Sequence, residues 1–452
     1  MVPKKLRVVA KFLLIFILLL GLRVSLLTVT SHVSTSLPQQ HKAEPYHPIA
    51  SLYYDGVQPI ISEQCRGHVS IHNRVMVMFR NVTLDASKAH AEARGGAEIA
   101  PNIVTQKESA ELFDVTRGFL QLPCQDNDLN LNDKTLLSVN GQFRRWRDSI
   151  VTTADDSSRD VNASLSSWQR GLTIILERNE YANVYWTLMD FYDVYITMRY
   201  FDEQLNNTHI ILADAHPRGH LDELWASFRS MRRLQDITSP TLIERLSWRY
   251  DRQNSPFLKE TLRNVPLVED FRQFVITSQR SRVYNTPLAD CTHLRVLFIW
   301  RHDYVAHPRN PSGQVARKIA NERQLLNATR AHFRSHSVDA VQLDNYDVRQ
   351  QVELVANTDV MMGMHGAAMA FSLLLPRHAA VVELYPHYYG YANWHMKKLA
   401  RWSHHKYFSY KLPKALDDLK TFSTTVPVDV AIELLTKALQ AVCKERLKHG
   451  SQ

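Results

Sequence analysis

Glycine and cysteine are scarce in this sequence, with 14 and 4 residues among 452. So little glycine excludes a collagen-like fibre and glycine-rich linkers, and so few cysteines exclude a disulfide-based scaffold. Hydrophobic residues make up 45% of the chain and charged residues 22%, which is typical of folded globular proteins and excludes a largely disordered or polytopic membrane protein. The length predicts about two or three domains.

The chain carries a net charge of +9, and its pI is near 9.2. Lysine and arginine are spread along the sequence, without a basic block that contains interleaved aromatic residues. This distribution argues against a nucleic-acid-binding protein. An excess of positive charge instead suits the binding of an anionic small molecule.

One long apolar segment, residues 12–29, follows a basic tail at residues 1–11. As an α-helix, its 18 residues extend for about 27 Å, close to the roughly 30 Å of a hydrocarbon core. Because basic flanks stay in the cytosol, the sequence predicts a signal-anchor helix, a stem at 30–60 and a lumenal remainder. A cleaved signal peptide is the alternative, since the uninterrupted run 12–22 suits its apolar core.

Two features agree with a lumenal chain. N-glycosylation sequons occur at Asn81, Asn162, Asn206 and Asn327. The cysteines lack zinc-binding spacing and allow up to two disulfides with three pairings open; they are Cys65, Cys124, Cys291 and Cys443. The last four residues are not a retrieval signal for the endoplasmic reticulum, so the predicted location is the Golgi membrane, in single-pass type II orientation.

The pattern of apolar segments changes near residue 290. Residues 61–290 are mixed and are predicted as an N-terminal domain, whereas 291–452 alternate strands with helices and are predicted as a Rossmann-like C-terminal domain. Predicted strands include Leu294–Trp300, Asp359–Met362 and Ala379–Tyr385. Predicted helices are Ala182–Phe201, Asp222–Ser230, Val315–Arg334, Val348–Asn357, Ala367–Leu375 and Asp429–Leu447.

Small residues surround a histidine where a predicted strand meets a helix. His365, Gly366 and Ala367 follow that strand, and the free backbone N–H groups of a helix start suit a phosphate. The segment is not G-x-G-x-x-G, so a dinucleotide site is not supported. Glu383 lies in the next strand, where a carboxylate commonly accepts hydrogen bonds from ribose hydroxyls. The alternative for His365 is a core histidine in a tight turn. The alternative for Glu383 is a strand glutamate whose hydrogen bonds are made within the protein.

Two arginines and one aspartate are further candidates. Arg301 follows a predicted strand and Arg317 comes shortly after it, and guanidinium groups match the oxygens of a diphosphate. Surface salt bridges are the alternative for both. Asp190 lies in an aromatic-rich predicted helix, where desolvation would raise its pKa and suit a general base. A buried, hydrogen-bonded aspartate is the alternative there.

These elements, in this order, resemble glycosyltransferase family 61. The family's C-terminal signature is a strand with Arg, then Arg-x-x-x-Asn-Glu, Gly-x-His-Gly-Ala and a glutamate between apolar residues. This chain supplies Arg301, then Arg317 with Asn321 and Glu322, then 363–367, then Glu383. Further likeness, to the family's N-glycan β-1,2-xylosyltransferase branch, lies in residues 296–309, 180–190 and 221–225. The resemblance extends over about residues 170–445.

The resemblance implies an α/β fold of GT-B type, with two Rossmann-like domains facing a cleft. It implies an inverting transferase that uses a UDP-sugar, UDP-xylose in the branch named above, and the core β-mannose of N-glycans as acceptor. The donor residues would be Arg301, Arg317, Asn321, Glu322, His365, Gly366, Ala367 and Glu383. The base would be Asp190, and Glu180 and Trp186 would contact the acceptor. No cofactor or metal is expected, since cationic side chains stabilise the leaving UDP.

Trp186 departs from the family pattern, which commonly has a histidine four residues before the aspartate. The change puts the acceptor or the rate in doubt. Two alternatives therefore stay open: an O-linked N-acetylglucosaminyltransferase of the same family that acts on lumenal proteins, and a non-catalytic lumenal protein that binds glycans.

Overall fold

The computed structural model describes residues 60–91, 111–132, 141–153, 167–178, 180–250, 254–284, 290–305, 310–389 and 394–450. The predicted tail, the signal-anchor helix, the stem up to residue 59 and Asn162 lie outside these ranges. Within them, no helix is both long and apolar enough to cross a membrane. All of the described residues belong to one unit, Tyr46–Gln452. The division into domains at residue 290 therefore stays a prediction.

Eight α-helices occur in the described ranges. The longest internal helix, Val184–Tyr200 (α2), begins after Asn183, whose side chain accepts a hydrogen bond from the Tyr185 N–H. Nearly every side chain of α2 is buried, because both sheets of the fold pack around it. The helices are α1 Gly141–Trp146, α2 Val184–Tyr200, α3 Asp222–Trp225, α4 Val268–Ser278, α5 Glu322–His332, α6 Val348–Ala356, α7 His395–Trp402 and α8 Val428–Gly450.

A mixed sheet of nine strands occupies the first half of the described chain. Its main path is β1-β2-β3-β11-β8-β9-β10, and β6 and β7 extend it beside β3. The neighbours β11, β8, β9 and β10 are parallel, whereas β1, β2 and β3 are antiparallel. The strands of this half, with the separate pair β4 and β5, are β1 Ile61–Gln64, β2 Val69–His72, β3 Met76–Leu84, β4 Ala89–His90, β5 Asp114–Val115, β6 Leu120–Pro123, β7 Ile150–Thr153, β8 Ser167–Leu176, β9 Thr208–Leu212, β10 Ser230–Arg233 and β11 Thr241–Trp248.

A second sheet has five parallel strands in the order β14-β12-β15-β16-β17. In chain order this is 2-1-3-4-5, the arrangement of a doubly wound sheet. Its central strands are apolar on both faces because helices cover both. The strands of this half are β12 Arg295–Ile299, β13 Lys318–Ile319, β14 Ser337–Val341, β15 Val360–Met364, β16 Ala380–Tyr385, β17 Lys406–Lys411, β18 Asp417–Asp418 and β19 Ser423–Thr424.

A shared apolar core joins the two sheets. It contains residues from β8 and β9, from β12 and β15, and from α2 between them. Helix α4 precedes the predicted boundary, yet the Arg272 Nε on it donates a hydrogen bond to the Leu374 carbonyl at 3.0 Å. Trp402 of α7 donates in turn to the Leu262 carbonyl at 3.1 Å. The two halves are therefore fixed to each other by packing and by hydrogen bonds.

Several predicted elements need correction. The predicted helix Val315–Arg334 is helical only in α5, because Lys318–Ile319 pairs with Ser423–Thr424 instead. The predicted helix Asp222–Ser230 ends at Trp225, because Ser230 begins an edge strand beside β9. Ala367–Leu374 is a 3-10 helix rather than an α-helix. The other strands and helices predicted above are confirmed to within a few residues.

All four cysteines are paired, which resolves the three open pairings. Cys65 bonds to Cys124, and Cys291 bonds to Cys443 across 152 residues of sequence. The second bond attaches the residues before β12 to helix α8. Disulfides of this kind persist in oxidising compartments.

Loss of the second disulfide should destabilise the fold. Because a cross-link across 152 residues removes much of the conformational freedom of the unfolded chain, we expect Cys291→Ser with Cys443→Ser to lower the free energy of unfolding by about 2–5 kcal/mol. Denaturant unfolding of both proteins under oxidising conditions measures this. The matched control removes Cys65 and Cys124, whose shorter separation of 59 predicts a smaller loss. An equal midpoint in the variant and the unmodified protein would contradict this prediction.

Candidate active site

The topology of the parallel sheet locates a binding crevice. In the order 2-1-3-4-5, ligands bind outside the carboxyl ends of the first and third strands, where successive crossovers diverge. Those strands are β12 and β15, so the residues that follow them are Arg301 on one side and His365 and Gly366 on the other. A Cβ on Gly366 would lie 2.1 Å from Arg301 Nη1. The absence of a side chain at Gly366 thus makes room for the guanidinium group.

Arg301 and Arg317 form a pair of cations without a carboxylate partner. Across the described ranges, neither guanidinium group forms a salt bridge. Arg301 Nε donates to the Ala316 carbonyl at 3.0 Å, and Arg317 Nε is buried without a hydrogen bond. Burial, followed by the nearby charge of Arg317, lowers the pKa of Arg301 to about 10. An anion at this position would remove the repulsion between the two groups.

The backbone and the aromatic neighbours of Arg317 hold it in place. Its φ of 64° is unusual for a residue with a side chain, and its N–H donates to the Tyr388 hydroxyl at 2.9 Å. The guanidinium lies 4.6 Å from the ring centre of Tyr389, close enough for a cation–π contact. These contacts present the charge of Arg317 beside His365, whose ring lies 4.9 Å from that of Tyr389.

His365 is held by a buried carboxylate. Its Nδ1 lies 2.5 Å from Glu383 Oε1, and the other oxygen of Glu383 accepts from the Tyr385 and Tyr407 hydroxyls at 2.8 and 2.6 Å. Burial and the charge of Glu383 raise the pKa of both tyrosines, so they remain donors. With Nδ1 occupied, the ring offers Nε2 to a ligand.

These contacts change the role expected for Glu383. The side chain is fully buried, and both of its oxygens are bonded to protein groups. In the structure it positions His365, and its predicted contact with a ribose stays a prediction. The observed bonds fit the alternative of a strand glutamate whose hydrogen bonds are made within the protein. One of its partners, however, is His365 of the motif.

Asn321 and Glu322 support the Arg317 segment. The Asn321 amide bonds to both the N–H and the carbonyl of Val426, each at 2.9 Å. Glu322 Oε2 lies 2.7 Å from His302 Nε2. These bonds fix the start of α5 next to the small sheet of β13. Their predicted contact with the donor stays a prediction.

A second group of charges lies at the carboxyl ends of the parallel strands in the first sheet. Arg178 forms two bonds to Asp214, at 2.7 and 3.0 Å, and one to Asp222 at 2.5 Å. Arg233 also reaches Asp222, at 2.6 Å. Both arginines are buried, and here each has a carboxylate partner. The sequence did not reveal this network, because no local motif joins its residues.

The same network fixes the segment that precedes α2. Tyr181 stacks on His216 with ring centres 5.1 Å apart, and a Cβ on Gly219 would lie 3.2 Å from the Tyr181 ring. Glu180 accepts a hydrogen bond from the Ala182 N–H at 3.1 Å. This segment therefore has a defined position next to the crevice. The predicted acceptor contact of Glu180 stays untested.

A cavity of about 130 Å³ lies where the two halves meet. From the first half it is lined by Ala182, Val184, His220 and Leu221, and from the second by Arg301 and Asp344 among others. The carboxyl ends of both sets of parallel strands thus lead to one place. This convergence is the geometry that a two-substrate site requires.

Aromatic side chains from both halves meet near His365. Tyr185 contacts Trp186 at 4.8 Å between ring centres and contacts His395 at 5.2 Å. His395 stacks on Trp394 at 4.4 Å. Burial, followed by the nearby His365, lowers the pKa of His395. Trp186, predicted to contact the acceptor, is therefore part of an aromatic group that borders the crevice.

Asp190 is buried one turn further along α2. Its Oδ1 lies 3.3 Å from Arg249 Nη2, and Asp193 Oδ2 lies 3.2 Å from Nη1 of the same arginine. The side chain of Asp190 is 1% exposed. This placement fits the alternative of a buried, bonded aspartate. Its role as a base stays a prediction.

Comparison with known proteins finds a family match over part of the chain. Residues 200–382 match the family model Glycosyltransferase 61. This region is similar to glycosyltransferase family 61 and is called the family 61 domain below. It includes Arg301, Arg317, His365 and Gly366, whereas Asp190 precedes it and Glu383 follows it by one residue.

Curated relatives of the family 61 domain are transferases. The beta-1,2-xylosyltransferase RCN11 of Oryza sativa is 23% identical over 55% of this chain and 50% of its own length. The beta-1,2-xylosyltransferase of Arabidopsis thaliana is 25% identical over 50% of each. The EGF domain-specific O-linked N-acetylglucosamine transferase of Pan troglodytes is 26% identical over 47% of this chain and 41% of its own. The chain thus spans about half the length of the relatives it matches.

The similarity of this chain to solved structures is weak. The Flv1 flavodiiron core of Synechocystis overlaps 46% of this chain and 44% of its own at 12% identity, with a TM-score of 0.22. So low a score bears on neither the fold nor the function of the family 61 domain.

Three predicted glycosylation sites can be located. Asn81, Asn206 and Asn327 are exposed; Asn206 and Asn327 lie within the family 61 domain, and Asn327 is on α5. Their exposure is compatible with modification. Among the described residues, no group of three histidine, cysteine or acidic side chains is placed to hold a metal ion.

Substitution of Gly366 should affect ligand binding only through its contact with Arg301. We expect Gly366→Ala to weaken UDP binding about tenfold or more, because the new methyl group displaces the guanidinium that would bond to a phosphate. Isothermal titration with UDP measures the loss. In an Arg301→Ala background the same substitution should change little, and a double-mutant cycle tests this. Additive losses in the two backgrounds would contradict the assignment.

Proposed function

We propose that this protein transfers xylose from UDP-xylose, in β-1,2 linkage, to the core β-mannose of N-glycans. The observation that carries the proposal is the pair Arg301 and Arg317, two cations without a carboxylate partner at the crevice of a family 61 domain. Similarity to the rice and Arabidopsis beta-1,2-xylosyltransferases supports this choice of donor and acceptor.

The proposed fold is of GT-B type. The second sheet, in the predicted domain 291–452, would hold the UDP-sugar at the ends of β12 and β15. The first half, in the predicted domain 61–290, would present the acceptor through Trp186 and the segment of Glu180. The cavity between the halves supports this arrangement, because segments that follow both sets of parallel strands line it.

The proposed chemistry is an inverting displacement. A base removes the proton from the acceptor hydroxyl, its oxygen attacks the anomeric carbon, and the bond from that carbon to the β-phosphate oxygen breaks. The charge that develops on UDP would be stabilised by Arg301, Arg317 and the backbone N–H groups at Gly366 and Ala367. Asn321 and Glu322 would hold the Arg317 segment. The mechanism needs no metal, since these groups supply the positive charge.

His365 has a donor role in this proposal. Glu383 accepts from Nδ1, so Nε2 faces the ligand as the available nitrogen. The ring lies between Tyr385 and Tyr389, at 5.1 and 4.9 Å between centres. The ring therefore has little freedom to turn, and Glu383 and the two tyrosines act as positioning residues.

A second candidate is an O-linked N-acetylglucosaminyltransferase of the same family. Similarity to the EGF domain-specific enzyme of Pan troglodytes favours it. It would use UDP-N-acetylglucosamine and a protein hydroxyl at the same crevice. Trp186, in place of a histidine, also keeps a non-catalytic glycan-binding protein as an alternative.

The proposed location is the Golgi lumen, with residues 12–29 as a type II signal anchor. Both disulfides and the three exposed sequons support an oxidising, glycosylating compartment.

A donor assay decides among these activities. The full chain, purified in detergent with EDTA present, is given UDP-xylose or UDP-N-acetylglucosamine and a GlcNAc-terminated N-glycan. We expect UDP release with UDP-xylose alone and addition of one pentose, measured by mass spectrometry. Release with UDP-N-acetylglucosamine would overturn the xylosyltransferase proposal and favour the second candidate. Binding of UDP without release from either donor would favour the non-catalytic alternative.

Asp190 and Asp193 form a matched pair for identifying the base. Because both lie against buried Arg249, Asp190→Asn and Asp193→Asn should each lower the free energy of unfolding by about 3 kcal/mol. If Asp190 is the base, only Asp190→Asn also lowers kcat, by about 100-fold or more, at a temperature where both variants are folded. Thermal unfolding and initial rates measure the two effects. Equal rates in the two variants would assign Asp190 to the buried ion pair alone.

A further inference from the structure

A wide basic groove lies beside the crevice, apart from the donor residues described above. Its volume is about 920 Å³. The cations of this basic groove are Arg377, Lys397, Lys398, Arg401 and Lys406, and its only acidic lining residues among those described are Glu260 and Glu445. The groove is therefore strongly positive.

Most of these cations have no partner within the described protein. Lys406 pairs with Glu445 at 3.1 Å, and Glu445 also pairs with Lys448. Arg377, Lys397, Lys398 and Arg401 form no salt bridge with any carboxylate in the described ranges, and three of the four are exposed. Four charges thus remain available to a ligand from solution.

The groove begins next to the candidate active site. Tyr407 lines it, and the same hydroxyl donates to Glu383, the carboxylate that holds His365. Trp394 lines it as well and stacks on His395. Tyr407 and Trp394 therefore connect the wall of the groove to residues of the candidate active site.

The spacing of the charges indicates the class of ligand. Lys397, Lys398 and Arg401 lie within about one turn of α7, and Arg377 comes from the separate segment after the 3-10 helix. Two of the four unpaired cations are lysines, whose ammonium groups act as mobile point charges, and the two arginines lie on different elements. Charges spread over two elements match several carboxylates in succession.

We propose that the basic groove binds an acidic stretch of the polypeptide that carries the acceptor. The inference rests on the proposed function in one respect, since it takes the acceptor to be attached to a protein. Electrostatic attraction of this kind increases the rate of encounter and weakens with salt. The groove would thereby select acceptor sites that have aspartate and glutamate nearby.

The first test measures binding without any nucleotide sugar. A fluorescein-labelled ten-residue glutamate-rich peptide is titrated with the full chain, and anisotropy is followed at low and at physiological salt. The groove variant carries Arg377→Gln, Lys397→Gln, Lys398→Gln and Arg401→Gln. The control variant loses the same charge from exposed residues outside the groove, through Arg323→Gln, Arg334→Gln, Lys414→Gln and Lys420→Gln.

We expect the groove variant to bind the peptide about tenfold or more weakly, and the control variant to bind within about twofold of the unmodified protein. Equal losses in both variants would show a general charge effect and overturn the proposal. So would the absence of binding to the unmodified protein at low salt. A sialylated oligosaccharide serves as competitor: if it displaces the peptide at equal or lower concentration, the ligand is an acidic sugar and the polypeptide proposal is wrong.

The second test measures transfer to two glycopeptides that differ only in flanking glutamates. The groove variant should raise KM for the acidic glycopeptide and leave kcat/KM for the neutral one unchanged. Because the binding test uses no donor, inactivity of the protein towards both glycopeptides would count against the proposed function and leave the groove result intact. An unchanged KM for the acidic glycopeptide in an active variant would overturn the groove proposal itself.

Discussion

Repulsion between two guanidinium groups is the constraint on which the site depends. Arg301 and Arg317 are close enough for the charge of Arg317 to lower the pKa of Arg301, and neither forms a salt bridge with a described carboxylate, although the charge of Asp344 partly offsets the effect on Arg301. Such an arrangement persists only because the fold fixes both groups independently: Arg301 against Gly366 and the Ala316 carbonyl, Arg317 on the ring of Tyr389. A bound anion relieves the repulsion, which is why an anionic donor is the ligand this site favours.

The arginines beside the first sheet, in contrast, are paired with carboxylates. Arg178 and Arg233 are more deeply buried than Arg301, yet each is bonded to Asp214 or Asp222. Buried charges with partners hold a structure together, whereas charges without partners attract a ligand. The same fold therefore uses one type of side chain for support on one side of the crevice and for binding on the other.

Much of the second sheet could be predicted from the sequence, because its strands are apolar on both faces and its helices are amphipathic. Residues 315–321 could not, since their pairing with residues 423 and 424, about 100 positions away, overrides the local helical pattern. Arg301 and His365 were found because they follow strong strands. The network of Arg178 was missed because its residues are dispersed between positions 178 and 233, and no local motif joins them.

The role of Glu383 could not be predicted from its motif alone. A glutamate in an apolar strand was expected to contact a ribose, but its two oxygens are occupied by His365, Tyr385 and Tyr407. Tyr407 comes from β17, the strand at the edge of the sheet, and also lines the basic groove. One buried carboxylate thus connects the histidine of the crevice to the wall of the groove. A ligand that displaced Tyr407 would weaken a bond to Glu383, so events in the groove have a short physical route to His365 through two hydrogen bonds.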